Sequence, residues 1–113
     1  MVKHAAPKRG DIVSLNFDPQ RGREQAGRRP ALVLSPQTYN EKTGLAVCCP
    51  ITSHAKGYPF EVALSKDMKT KGVVLVDHVK CLDWRAREAR VTERIPVSVY
   101  GQVAKKLWLL VAN

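Results

Sequence analysis

Four arginines, one internal carboxylate and two glycines fill the stretch Asp18-Pro19-Gln20-Arg21-Gly22-Arg23-Glu24-Gln25-Ala26-Gly27-Arg28-Arg29-Pro30. Guanidinium is a planar fork of donors that grips phosphate oxygens two at a time. Arg28 and Arg29 close the stretch, where the following apolar run, Ala31-Leu32-Val33-Leu34, can anchor them at the mouth of a strand. Two further polar clusters follow. Thr52 brings a hydroxyl, Lys56 a point charge beside Gly57, and Tyr58 and Phe60 flat faces on which bases can stack. The last cluster is Asp77-His78-Val79-Lys80. For each a bland reading stands beside the functional one: a solvated basic loop, a turn hydroxyl, a core phenylalanine, a surface His54.

These residue types point to a phosphodiester more than to an acyl group. No Gly-x-Ser-x-Gly, no glycine-rich loop ending in Lys-Ser/Thr and no paired catalytic carboxylates are present. His4, His54 and His78 share no ligand spacing with each other or with the cysteines, so no metal site is expected and no cofactor is implied. RNA offers a route that needs neither, because its own 2′-OH can attack the adjacent phosphorus. The protein must then supply donors for the crowded phosphorane oxygens, a base for the hydroxyl and an acid for the leaving 5′-oxygen. Arginine and threonine can supply the first; arginine is too firmly protonated to supply the base.

The whole composition agrees with a polyanionic partner. Nineteen basic residues against ten acidic leave a net charge of +9 over 113 residues, which favours nucleic acid first, an acidic protein segment second and an anionic membrane surface third. That length suits one domain, 1–113, with a real core. Met1-Val2-Lys3-His4 leads into no apolar stretch, so neither a signal peptide nor a membrane span is expected, and the cytoplasm is the default compartment. Cys48, Cys49 and Cys81 form no even disulfide set and read as small hydrophobes in a reducing compartment.

The elements that must position these groups are short strands. Asp11 to Phe17 alternates, with Val13, Leu15 and Phe17 on one face and Ile12 out of step. Ala31 to Ser35 is apolar throughout, as in a strand buried on both faces, and Pro36 ends it. Gln37 to Gly44 is a connector with room for one helical turn. Strands follow at Leu45–Ile51, at Phe60–Leu64 with Phe60, Val62 and Leu64 inward, and at Val73–Val79, extending up to Leu82. Strands at this pitch give a small antiparallel barrel or a sandwich. From Pro96 onward the period changes: Tyr100, Val103, Ala104, Leu107, Leu110 and Val111 form a helical stripe, with Ser98, Gln102, Lys105 and Lys106 opposite. The expected architecture is therefore mainly β with a C-terminal helix across the open end. Trp108 lies off the stripe, where local packing and a second subunit are both open.

Read together, the segments resemble a known family. Gly10-Asp11-Ile12-Val13, Phe17-Asp18-Pro19, Glu24-Gln25-Ala26-Gly27, Arg29-Pro30-Ala31-Leu32-Val33-Leu34-Ser35-Pro36, Tyr39-Asn40 and Lys42-Thr43-Gly44 look like the MazF branch of the MazF/PemK (Kid) toxins. Pro50, Thr52, Lys56-Gly57-Tyr58-Pro59-Phe60-Glu61-Val62, Asp77, Val79-Lys80 and Trp84-Arg85-Ala86-Arg87 continue the match, which is dense from about residue 9 to 88. The resemblance implies the small SH3-like antiparallel barrel of the MazF/Kid/CcdB-like toxins, working as a homodimer. It implies the toxin of a type II toxin–antitoxin pair: a metal-independent, sequence-specific endoribonuclease that cuts single-stranded mRNA to 2′,3′-cyclic phosphate and 5′-OH ends. It also implies an acidic MazE-like antitoxin whose tail blocks the RNA path.

On the same resemblance the catalytic residues fall on Arg29, Thr52 and Glu24. RNA contacts fall on Phe17, Gln25, Arg28, Lys56, Tyr58, Asp77, His78 and Lys80. Leu75 stands where the PemK/Kid branch carries a catalytic arginine two residues before the aspartate, which weighs for the Arg29/Thr52 pair over Asp77 as the acid or base. Two rival readings keep the basic loops: a nucleic-acid-binding barrel without cleavage, and a module whose groove takes an acidic peptide.

Overall fold

The computed structural model describes residues 5–16 and 27–112. Phe17, Glu24 and Gln25 lie outside the described residues. The elements in chain order are β1 (Asp11–Asn16), β2 (Arg28–Val33), α1 (Gln37–Thr43), β3 (Leu45–Thr52), β4 (Glu61–Ala63), β5 (Val73–Leu75), β6 (Lys80–Asp83), β7 (Arg90–Arg94) and α2 (Val97–Val111). One antiparallel sheet runs β4-β5-β3-β2-β1-β7, and β6 pairs with β3 beside β5. It curls in the manner of a small barrel, with β4 and β7 at the ends of this path.

Both faces of the central strands are buried, and this explains the irregular alternation of β1. Val13 and Leu15 join Ala31, Val33, Ala46, Cys48, Leu82 and Trp84 in one core. Ile12, out of step, joins Leu32, Leu34, Cys49, Ile51, Val62 and Val74 in the other, which α2 covers with Val99 and Val103. Strand neighbours point to opposite faces, so a strand buried on both must be apolar throughout. Burial pushes the Cys48 and Cys49 thiols up to about 12, so they pack as small hydrophobes. No described helix is long and apolar enough to cross a membrane.

Three local features differ from expectation. First, β2 starts at Arg28, so Arg28, Arg29 and Pro30 belong to a strand and not to the preceding loop. Pro30 is tolerated because β2 is paired there with β1 alone: Pro30 lies opposite Ser14, whereas the ladder to β3 begins at Ala31 and Pro50. Second, the run Val73–Leu82 is broken by a 3₁₀ turn, Val76–His78. Val74 pairs with Ile51 and Lys80 with Cys48, so the turn is spliced into one long partner of β3 and lifts His78 off the ladder. Third, β7 is an edge strand that apolar patterning does not announce, since only Val91 in Arg90-Val91-Thr92-Glu93-Arg94 is apolar, and it is half exposed.

β7 nevertheless holds a loop in place. Glu93 accepts hydrogen bonds from Lys69 N (3.1 Å), Thr70 N (2.6 Å) and Thr70 Oγ1 (2.6 Å). Partial burial acts to raise its pKa, but the Thr70 and Lys69 donors outweigh it and hold the carboxyl below the ordinary glutamate value. A depressed carboxyl contributes stability that is complete above the unfolded-state pKa and is lost as pH falls through the folded one. The thermal midpoint of the wild type should therefore drop more steeply from about pH 6 to about pH 3 than that of Glu93→Gln. Parallel curves would remove Glu93 from the acid response.

Candidate phosphodiester site

The site forms where the β2–β3 ladder stops. Its register sets Ala31 against Pro50; continued, it would set Pro30 against Ile51 and Arg29 against Thr52. Neither proline has an N–H to give, and the ladder ends with them. By alternation Arg29 extends the face that carries Ala31 and Val33, and Thr52 extends the face that carries Ala46, Cys48 and Pro50. One sheet face is thus apolar core along most of its length and polar at its open end. A cavity of about 750 Å³ lies there, lined by Arg29, Pro50, Thr52, His54, Lys56, Tyr58, Glu61, Leu75, His78 and Lys80 among others.

The structure thus gathers Arg29, Thr52, Lys56, Tyr58, His78 and Lys80, drawn from four separate segments, around one space. Thr52 Oγ1 accepts from His54 N at 3.1 Å, which fixes its rotamer and leaves its own proton free to donate. Among the described residues no side-chain hydrogen bond or ion pair engages the Arg29 guanidinium. Tyr58 is 62% exposed, a ring held out as a platform and not a core residue. Asp77 does not line the cavity; its Oδ1 lies 3.9 Å from Nε2 of His78, which does.

Arg28 is placed differently. It projects to the face opposite Arg29, where Nε donates to Ser14 Oγ at 2.9 Å and Nη2 donates to Ser14 O at 2.6 Å and to the Glu88 carbonyl. Its Nη1 is 3.9 Å from the Glu88 carboxylate. Glu88 has φ 53, a left-handed conformation unusual for a side-chain-bearing residue. Arg28 is thus a brace between β1, β2 and the turn that leads into β7, and it does not line the cavity.

Sequence reasoning missed Glu61 and Gly72. Glu61 is the carboxylate among the basic groups of the cavity. Gly72, at φ 116, lies so close to the end of β3 that a Cβ there would overlap the Thr52 carbonyl oxygen and stand 2.8 Å from its carbonyl carbon. A glycine directly before an apolar strand is the available signal, but its partner across the sheet is invisible in sequence.

Endoribonuclease toxin MazF of Escherichia coli K12 is 54% identical over 89 residues, 79% of each chain. The crystal structure of MazF from Deinococcus radiodurans superposes with a TM-score of 0.87 at 52% identity, covering 97% of this chain and all of that one. A MazE–MazF complex from the same organism gives 0.86 at 48% identity, covering 96% of this chain and 97% of the other. Residues 8–111 match the family described as PemK-like, MazF-like toxin of type II toxin–antitoxin system. With two thirds and more of its length aligned to such relatives, and its polar groups collected at one strand end, the chain belongs to the PemK-like, MazF-like toxin family.

Proposed function

We propose that this protein is an endoribonuclease toxin that cuts single-stranded mRNA by attack of a 2′-oxygen on the neighbouring phosphorus, with no metal ion. The observation that carries the reading is the placement of Arg29 and Thr52 on the wall of one basic cavity, each on a β-strand. The 2′-O–P bond forms, the P–O5′ bond breaks, the 2′-hydroxyl proton leaves and a proton is delivered to O5′, giving a 2′,3′-cyclic phosphate and a 5′-OH. Arg29 and the Thr52 hydroxyl donate to the phosphorane oxygens, where preorganised donors act most strongly. Lys56 and Lys80 hold flanking phosphates, and Tyr58 stacks on a base. Glu24, which the resemblance makes the third catalytic residue, lies outside the described residues. The test is to incubate the purified protein with a long single-stranded RNA in EDTA and map the ends by primer extension. Discrete cuts with 5′-OH ends are expected. Binding without cleavage would leave a nucleic-acid-binding barrel, and activity restored only by magnesium would remove the route.

Two partners complete the reading. An acidic MazE-like antitoxin occupies the cavity in place of RNA, since both are polyanions drawn to the same cations. A second copy of the chain covers the end of α2, where Trp108, Leu109 and Val111 are 67%, 53% and 70% exposed although Val99 and Val103 nearer its start are buried. Sedimentation should show a dimer for the wild type and a monomer for Trp108→Lys. A wild-type monomer would refute the assignment of that surface.

A further inference from the structure

Glu61 is an anomaly in a cavity meant for a polyanion. Its charge repels phosphate, and with Arg29, Lys56 and Lys80 around it, removing it should by electrostatics alone tighten RNA binding. Its contacts give another account. The Glu61 carboxylate lies 3.2 and 3.1 Å from Lys56 N and accepts from Gly57 N at 3.0 Å, at the point where Gly57 takes φ 78. From the other side Lys106 of α2 donates through Nζ to Pro59 O at 2.6 Å and to Glu61 O at 3.0 Å. Between Thr52 and Phe60 all seven residues are exposed; Phe60 packs on the core where the loop ends, and before it the loop's shape rests on polar ties. The loop carries Lys56 and Tyr58.

We propose that Glu61 and Lys106 are positioning residues that hold the 53–60 loop as a wall of the cavity and so set RNA affinity, resting on the functional reading above. A loop ordered before RNA arrives has less freedom to lose on binding. Lys106, although basic, acts on the protein and not on the RNA.

The sign of the effect decides. A single-stranded RNA with 2′-deoxyribose at the cut site is titrated by anisotropy against the wild type, Glu61→Ala, Glu61→Gln and Lys106→Met, each checked by thermal melting. Glu61→Ala should bind about tenfold or more weakly despite its added net positive charge, because two charge-assisted bonds are lost. Glu61→Gln should fall between, since its amide oxygen can accept one of them, and it supplies the comparison if the alanine variant does not fold. Single-turnover rates on the cleavable RNA at saturating protein should fall far less than affinity. In a Lys56→Ala, Tyr58→Ala background, Lys106→Met should add little further loss, as expected when one residue acts through others. Equal or tighter binding by Glu61→Ala and Glu61→Gln overturns the proposal, as does an undiminished Lys106→Met effect in that background. A wild type that binds no RNA would instead sink the functional reading.

Discussion

Arg29→Ala should cleave single-stranded RNA roughly a hundred- to a thousand-fold more slowly than the wild type while still binding it. The magnitude follows from what the residue offers. Its guanidinium sits on a strand whose register to β1 sets Arg29 against Leu15, a fully buried residue, so the backbone beneath it is rigid. A donor held in place before the reaction costs no reorganisation when charge builds on the phosphorane. Thr52→Ala should show a loss of the same order, for Thr52 ends β3 and its oxygen is already oriented by His54 N. Arg28→Ala is the contrast. It removes the brace to Ser14 and Glu88, so its loss should register in the melting temperature, with the saturating rate close to wild type. Single-turnover cleavage at saturating protein, with binding followed separately on the 2′-deoxy substrate, separates these outcomes. If Arg28→Ala were inactive and Arg29→Ala near normal, the roles would be exchanged.

Gly72→Ala should also be severe, although the residue does not line the cavity. A methyl at position 72 cannot coexist with the Thr52 carbonyl where it stands, so the end of β3 must shift. A displacement of about an ångström of a catalytic group costs about a hundred-fold in rate. The left-handed φ adds about 1–2 kcal/mol of backbone strain for a residue with a side chain. Gly57→Ala separates the two effects: φ 78 imposes the strain, but nothing lies within 4 Å of the added methyl. At saturating protein Gly57→Ala should keep most of its rate, and Gly72→Ala should not. Equal losses in the two variants would assign the whole effect to strain.

Much of this arrangement was legible in the residues, for reasons that differ by element. Ala31-Leu32-Val33-Leu34 and Leu45–Ile51 announce central strands because both of their faces are buried. The helix from Pro96 is legible because Tyr100, Val103 and Leu107 of its stripe pack on one core while Ser98 and Gln102 face water; Val99, outside that stripe, is buried as well, and Ala104, Leu110 and Val111 are exposed. Arg28 and Arg29 read as the close of a basic stretch because the apolar run begins only after Pro30; that proline lies where β2 is paired on one side alone, a fact about a neighbour 20 residues away. Lys106, placed on the outer face by the helical period, reaches back to the 53–60 loop because a long stem can cross the edge of its stripe. The break at Val76–His78 depends on register against β3, which local pattern does not encode. Thr52, Lys56, Tyr58 and Lys80 were legible as polar types beside turns, but their convergence on one cavity is a property of the curled sheet.

The end of β3 has a dynamic consequence. Thr52 is held to β5 by two rungs, Ile51 with Val74 and Thr52 with Val73, whereas the rest of β3 is gripped by β2 and β6. Short ladders at a strand terminus open at lower free energy than the globule unfolds. Amide hydrogens of the β3–β5 rungs should therefore exchange faster than those of Leu32 and Cys49, and mild denaturant should extinguish cleavage before the circular-dichroism signal changes. A toxin built this way could be disarmed by fraying one strand tip, with the remainder of its sheet intact.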